Sequence, residues 1–186
     1  MQPWQVKRRR YLLERPWIRL REDHVVLPGG AEMEEFHVVE YPNWAATVCV
    51  DTAGNFVLVE QYRHGIGRSS MELPAGVIEP EEDPLLGAKR ELLEETGYAA
   101  PRWRAIGRCA TDPSNNANYA YLYLAEGAYV QQKQALDVEE DIAVRVLSPE
   151  MLGKTINAGD FVHGIHLTAL LWASQKGWLP QLQTTQ

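Results

Sequence analysis

Two cysteines in 186 residues, Cys49 and Cys109, are too few and too far apart for a disulfide framework or a thiolate metal site. Each lies in an apolar segment, where a free buried thiol is expected. The five histidines show neither a triad nor a ligand spacing; His163 and His166 share a helical face and are expected to pack or to lie at the surface. No stretch reaches the roughly 18 apolar residues of a membrane span, and no long apolar run follows the basic amino terminus. The expected location is therefore the cytoplasm, with no membrane partner. Positive charge is also short: 18 Lys and Arg against 25 Asp and Glu leave a net charge of −7, which argues against nucleic-acid binding by bulk electrostatics. Lys7-Arg8-Arg9-Arg10 is a local basic run, read as surface or as a phosphate contact. Internal repeats and low-complexity segments are missing too. A composition of 45% hydrophobic and 23% charged residues suits one globular domain.

What the chain does have is a concentration of carboxylates between Gly76 and Tyr98. Asp83 is a good N-cap, Pro84 suits the first helical position and Gly97 can take the left-handed conformation that ends a helix, so a helix is predicted from Pro84 to Thr96. Leu85, Ala88, Leu92 and Thr96 form its packing stripe, with Leu86 and Leu93 at the margin. Glu91, Glu94 and Glu95 then project to one neighbouring side, because residues three and four apart share a face. Like charges at that spacing repel by a few tenths of a kcal/mol. A hard divalent cation removes the repulsion, and Mg²⁺ or Mn²⁺ prefers carboxylates, water and the phosphates of a substrate.

Strands are predicted on both sides of this helix. Ala45–Val50 and Asn55–Tyr62 flank Asp51-Thr-Ala-Gly54 as a hairpin, and further strands are expected near 18–22, 36–41, 103–111, 119–125 and 141–147. Met71-Glu-Leu-Pro-Ala-Gly76 ends a strand and opens the loop before the acidic helix. A second helix is predicted after Ser148-Pro149, ending near Asn157-Ala-Gly159. A third is predicted with Asp160 as its cap and Phe161, Ile165, Ala169 and Trp172 at helical spacing. The class is α+β, layered. Residues 181–186 are expected to be frayed.

The stretch from Gly76 resembles the signature of the Nudix hydrolases. Gly76, Glu82, Arg90, Glu91, Leu92, Glu94, Glu95 and Gly97 match it in order and spacing. Tyr98 alone departs, at a position that packs rather than reacts. The resemblance implies an α/β/α sandwich with a mixed sheet, a Nudix domain over 43–180, and residues 1–42 as an N-terminal β extension of the same domain. Val59-Glu-Gln-Tyr-Arg63, Arg68 and Glu72-Leu-Pro-Ala-Gly76 are similar to the subgroup that cleaves ADP-ribose and other nucleoside diphosphate sugars. It implies Mg²⁺ or Mn²⁺ on Glu91, Glu95, the Ala75 carbonyl and Glu94, with Arg90 and Glu82 in support.

Arg63 is the expected substrate arginine, together with Arg68. A guanidinium at a strand end can fork onto a diphosphate, or it can bridge to a glutamate instead. The resemblance also implies a loop glutamate that activates water. Glu139 and Glu140 are the candidates, the sequence does not choose between them, and Glu94 is a third possibility. Pro113 stands about where ADP-ribose hydrolases carry a proline, followed here by Ser114 where those often have Gly. Asn115, Asn116 and Asn118 read as turn residues outside the site. By analogy with that subgroup, Trp4, Tyr11 and Trp17 belong to an extension that forms a homodimer and covers the base. The expected reaction is metal-dependent hydrolysis of a nucleoside diphosphate sugar, ADP-ribose first. The alternatives are other Nudix substrates (dinucleoside polyphosphates, nucleoside triphosphates, capped RNA ends) or a non-catalytic nucleotide-sugar sensor.

Overall fold

The computed structural model describes residues 1–180, so the expectation of a frayed tail at 181–186 lies outside the described residues. The chain divides into two compact units: 1–43 with 110–119, and 44–109 with the residues from 120 onward.

The first unit is a three-stranded antiparallel sheet, β1 (Gln5–Arg15), β2 (Ile18–Val26) and β3 (Glu32–Glu40), in the order β1-β2-β3. β1 lies within the N-terminal β extension expected over 1–42, at a stretch where the sequence itself marks no separate strand. The basic run within it hides the alternation that marks one, but the run is explained by cross-strand pairing. Arg9 stands opposite Asp23 and donates to it twice (2.8 and 3.2 Å); Arg10 stands opposite Glu22 and does the same (2.7 and 2.9 Å). Lys7 pairs with Glu32 at 2.5 Å. Asp23 and Glu22 are buried, so the arginines neutralise carboxylates that water reaches poorly. The run is thus surface, as one reading had it, and its charges are engaged within the sheet rather than held ready for phosphate. The segment 110–119 lies along β3, with Val39 and Asn115 joined by a backbone bond of 2.8 Å. Asn118 accepts from Thr111 (2.7 Å) and donates to the Pro42 carbonyl (3.1 Å), which makes it a structural residue.

The second unit is built on a mixed sheet. Its strands are β4 (Trp44–Asp51), β5 (Phe56–Arg63), β6 (Arg68–Glu72), β7 (Ala75–Val77), β8 (Tyr98–Ala99), β9 (Arg102–Ala110), β10 (Tyr119–Val130) and β11 (Ile142–Leu147). The central order is β11-β5-β4-β10-β8, with β6 on β5, β7 on β4 and β9 on β10. β4 and β10 run parallel, while β4–β5, β5–β11 and β4–β7 are antiparallel. The β4–β5 hairpin turns where the composition placed it: Asp51 accepts from the Ala53 and Asn55 N–H groups at 2.8 Å, and Gly54 takes φ +85°.

Strand alternation divides the core into two layers. Val48, Phe56, Leu58, Leu122 and Leu124 face one side and pack with Leu152 of α2 (Pro149–Ala158) and Leu170 of α3 (Gly164–Gln175). Cys49, Val57 and Ala125 face the other side and pack with Leu92 of α1 (Pro84–Thr96). Helices on both faces of a mixed sheet make the α/β/α sandwich. The Cys49 thiol is buried and pushed well above its usual range by that burial. No helix among the described residues is long and apolar enough to cross a membrane.

One helix boundary differs from the sequence reading. Asp160 does not cap α3, which begins at Gly164 behind His163. The Asp160 N–H closes the end of α2 on the Thr155 carbonyl (3.1 Å), and its own carbonyl takes the Met71 N–H (3.0 Å). Phe161 is then fixed in the core from an extended connection rather than from a helix.

Leu92 joins α1 to the sheet, and Leu92→Ala should leave a cavity that the neighbouring strands cannot fill. We expect a loss of about 2–5 kcal/mol of folding stability, read from urea midpoints. A loss below about 1 kcal/mol would mean that α1 does not depend on this contact.

Candidate active site

The acidic helix forms as its punctuation requires. Asp83 accepts from the Leu85 and Leu86 N–H groups (2.9 and 3.2 Å), Pro84 opens the first turn, and Gly97 closes the last at φ +76° with its N–H on the Leu93 carbonyl (2.8 Å). Ahead of it, β7 brings Ala75 and Gly76 alongside the glutamates. The Ala75 N–H donates to Glu95 Oε2 at 2.8 Å. A Cβ at position 76 would collide with the Glu91 carboxylate, which explains the glycine.

Arg90 ties the cluster together. It donates to Glu82 through Nε and Nη2 (3.0 Å each), to Glu91 (2.8 Å), to Glu94 (3.0 Å) and to the Val77 carbonyl (2.9 Å). A guanidinium spread over three carboxylates and a carbonyl has its donors occupied, so it orients the glutamates. Glu82 is anchored in turn by the Glu79 N–H (2.9 Å), and Arg90 holds its carboxyl below the usual range.

Glu95 is the least compensated of the four. It is 3% exposed, and burial pushes its carboxyl up to about 8, with the charges of Glu91 and Glu140 adding to the effect. Burial also raises Glu91, against the pull of Arg90. For Glu95 burial is the main cause, and the Ala75 N–H and the charge of Arg63 oppose it. Carboxylate oxygens such as those of Glu91, Glu94 and Glu95 are of the hard kind that Mg²⁺ or Mn²⁺ prefers, and the Ala75 backbone lies beside Glu95.

The two expected substrate arginines go different ways. Arg63 donates to Glu72 through Nε (2.9 Å) and Nη2 (2.5 Å), and its charge reaches Glu95. The bridge is thus to a carboxylate that is 1% exposed, not to a surface glutamate. Arg68, opposite Arg63 in the β5–β6 pairing, turns outward to Asp160 (3.0 Å) and the Gly159 carbonyl (3.2 Å).

Of the two loop candidates, Glu140 bears on the cluster through its charge on Glu91 and Glu95. Its carboxylate accepts the Asp137 N–H at 3.0 Å. Glu139 is exposed and makes no comparable contribution to either glutamate.

Glu72 was missed as the partner of Arg63, whereas His163 and His166 pack, as one of their two expectations had it. The His166 ring is fully buried and accepts the Leu73 N–H at Nδ1 (3.2 Å), 4.0 Å from Glu72. His163 stacks on it at 3.8 Å. Burial lowers the pKa of both rings and keeps them neutral. The three residues offer ligand atoms within 4.8 Å of one another. However, Glu72 already spends both oxygens on Arg63, and stacked rings do not converge on one ion, so the histidines pack behind the Arg63–Glu72 pair. No local sequence signal could have found this contact, since residues 63, 72 and 166 meet only in the fold.

Within the first unit, a pocket of about 340 Å³ is lined by Arg15, Trp17, Arg19, Glu40, Tyr41 and Pro42, among others.

Comparison with known proteins adds an independent line. The family profile described as NUDIX domain matches residues 41–165, and the one described as nucleoside diphosphate sugar hydrolase N-terminal domain matches residues 4–39. The chain is 34% identical over 154 residues to a protein of Mycobacterium tuberculosis (strain ATCC 25618 / H37Rv) named ADP-ribose pyrophosphatase, covering 82% of this chain and 74% of that one. A Bacillus subtilis (strain 168) protein of the same name is 34% identical over 72% of each chain. A Bacillus methanolicus protein named methanol dehydrogenase activator is 35% identical over 67% of this chain and 66% of its own length. A solved structure titled as an ADP compounds hydrolase superposes with a TM-score of 0.81 over 96% of this chain and 98% of that one, at 17% identity, and so shares the fold.

Proposed function

The chain belongs to the Nudix hydrolase family, and from that premise we propose that it hydrolyses the diphosphate bond of a nucleoside diphosphate sugar with the help of Mg²⁺ or Mn²⁺. ADP-ribose is the first substrate, giving AMP and ribose 5-phosphate. The observation that carries the reading is the cluster on α1, where the buried Glu95 carboxylate, held by the Ala75 N–H, stands beside Glu91 and Glu94, both held by Arg90. The names of the M. tuberculosis and B. subtilis relatives favour ADP-ribose.

In this reading Glu91, Glu94, Glu95 and the Ala75 carbonyl would hold the metal, which would supply positive charge to neutralise the diphosphate and to make water more acidic. Arg90 and Glu82 keep the glutamates in register. Arg63, fixed by Glu72, presents its guanidinium to the phosphates, and Arg68 contributes at the rim. Glu140, rather than Glu139, takes the proton of the attacking water. The new P–O bond forms at one phosphorus and the bridging P–O bond breaks, so the other phosphate leaves with the bridging oxygen. Residues 1–42 act as an extension of the Nudix domain over 43–180. Trp4 ahead of β1, Tyr11, Leu12 and Leu13 on it and Trp17 in the turn after it are exposed, which supports a homodimer in which they cover the base. Sedimentation at the mass of a single chain would remove the dimer. The enzyme works in the cytoplasm.

A substrate panel with Mg²⁺ tests the function: ADP-ribose, GDP-mannose, UDP-glucose, diadenosine polyphosphates and nucleoside triphosphates, scored by their phosphate products. Nucleoside monophosphate and sugar phosphate from the first three support it. Turnover of the polyphosphates or triphosphates alone would move the protein to another Nudix class, and binding without turnover would make it a sensor.

Arg63→Ala should lower kcat/KM on diphosphate sugars by about 10-fold or more, because a forked charged donor at the phosphates is lost and Glu72 is left buried without its cation. Lysine should restore only part, being a point charge. Unchanged kinetics on every member of the panel would reduce Arg63 to a structural bridge.

A further inference from the structure

The segment 131–141, which carries Glu139 and Glu140, is attached to the last turn of α1. The Gln131 and Gln132 N–H groups donate to the Gly97 carbonyl (2.9 and 3.2 Å), and the Ala135 N–H donates to the Glu94 carbonyl (2.9 Å). Terminal carbonyls have no partner within their own helix, and here the loop supplies one. The Glu95 carbonyl is served differently, by a side chain. Gln134 Nε2 donates to it at 2.6 Å and also to the carbonyl of Ile142, the first residue of β11, at 3.2 Å. One amide nitrogen thus joins the helix residue whose carboxylate lies in the cluster to both ends of the loop over 135–141.

Inside that clamp the loop folds on itself. The Glu140 N–H reaches the Asp137 carbonyl (3.0 Å), and the Glu140 carboxylate takes the Asp137 N–H (3.0 Å). Packing contributes little, since Leu136 alone among residues 131–141 is even half-buried. A loop with so little buried surface is held by its hydrogen bonds.

We infer that Gln134 is a positioning residue: its amide clamps the loop to the backbone of Glu95 and so sets the position of Glu140. The inference rests on the hydrolase reading given above, with Glu140 as the base. Positioning of this kind is steep, because a displacement of about 1 Å can cost a large factor in rate.

Gln134→Leu keeps the size and removes both donors. With Mg²⁺ and a turned-over diphosphate sugar, kcat should fall about tenfold while KM stays within about twofold, the signature of an interaction felt in the transition state. In a Glu140→Gln background the same change should cost less than about twofold, because no base remains to be misplaced. Gln134→Glu, which sets an acceptor against the Glu95 carbonyl, should be at least as damaging as leucine. Unchanged kcat, or losses that multiply independently of Glu140, would overturn the role. A second measurement needs no substrate: amide hydrogen exchange across 135–141 should accelerate in Gln134→Leu while α1 over 85–93 is unaffected. Unaltered exchange would overturn the clamp itself. A wild-type protein that hydrolyses no nucleotide would remove the proposed function, and the exchange measurement would still decide the clamp.

Discussion

Glu95→Gln is expected to reduce diphosphate hydrolysis by at least about 10²- to 10⁴-fold while making the metal-free protein more stable. The two effects have one cause. In the folded chain burial pushes the Glu95 carboxyl up to about 8 from a usual 4.5. Because the folded value lies above the unfolded one, stability from the neutral form is complete below about pH 4.5 and is lost as pH rises toward 8. At pH 8 without metal the wild type therefore carries a penalty on the order of a few kcal/mol, which glutamine removes. In EDTA the variant should melt above wild type at pH 8, and the difference should vanish near pH 4.5. Mg²⁺ should raise the Tm of wild type and leave the variant nearly unmoved, since binding to the folded state alone is what stabilises. Turnover within a few-fold of wild type at saturating Mg²⁺ would remove Glu95 from the metal site. A lower variant Tm in EDTA at pH 8 would refute the burial argument.

Glu140→Gln carries the second large effect. If this carboxylate accepts the proton of the attacking water, kcat should fall by about 10²- to 10⁴-fold with KM nearly constant, because the lost interaction acts mainly in the transition state. The Mg²⁺-induced rise in Tm should survive, which separates a base from a metal ligand. Glu139→Gln should change little, as its charge does not bear on Glu91 or Glu95 in the way that of Glu140 does. Full kcat in both single variants and in the double variant would assign the proton transfer elsewhere, with Glu94 next in line. The family membership would stand, and the loop would lose its catalytic role.

Much of this site is legible in the sequence because its signals are local. Asp83, Pro84 and Gly97 act within one turn of α1, so they fix its ends whatever surrounds it, and Ser148-Pro149 does the same for α2. Spacing along a helix likewise decides that Glu91, Glu94 and Glu95 share a side. The Asp51–Gly54 turn is equally self-contained.

Where local signals mislead, the tertiary structure competes with them. Asp160 has the chemistry of a cap, yet its N–H, its carbonyl and its carboxylate are taken by Thr155, Met71 and Arg68, so α3 starts later. Lys7 to Arg10 look like a free basic patch because their partners, Glu22, Asp23 and Glu32, lie on strands that the chain reaches only after turning back.

By itself, then, the sequence determined the family, the acidic helix, its caps and the glutamates that share one side of it, because each follows from residues within a few positions of one another. The tertiary structure alone decided that Arg63 is locked to a buried Glu72 and that Gln134 ties the loop carrying Glu139 and Glu140 to Glu95. The Gln134–Glu95 contact joins segments far apart along the chain, and even Arg63 and Glu72, nine residues apart, meet only because β5 and β6 lie side by side; packing, not local conformational preference, brings such groups within hydrogen-bonding distance.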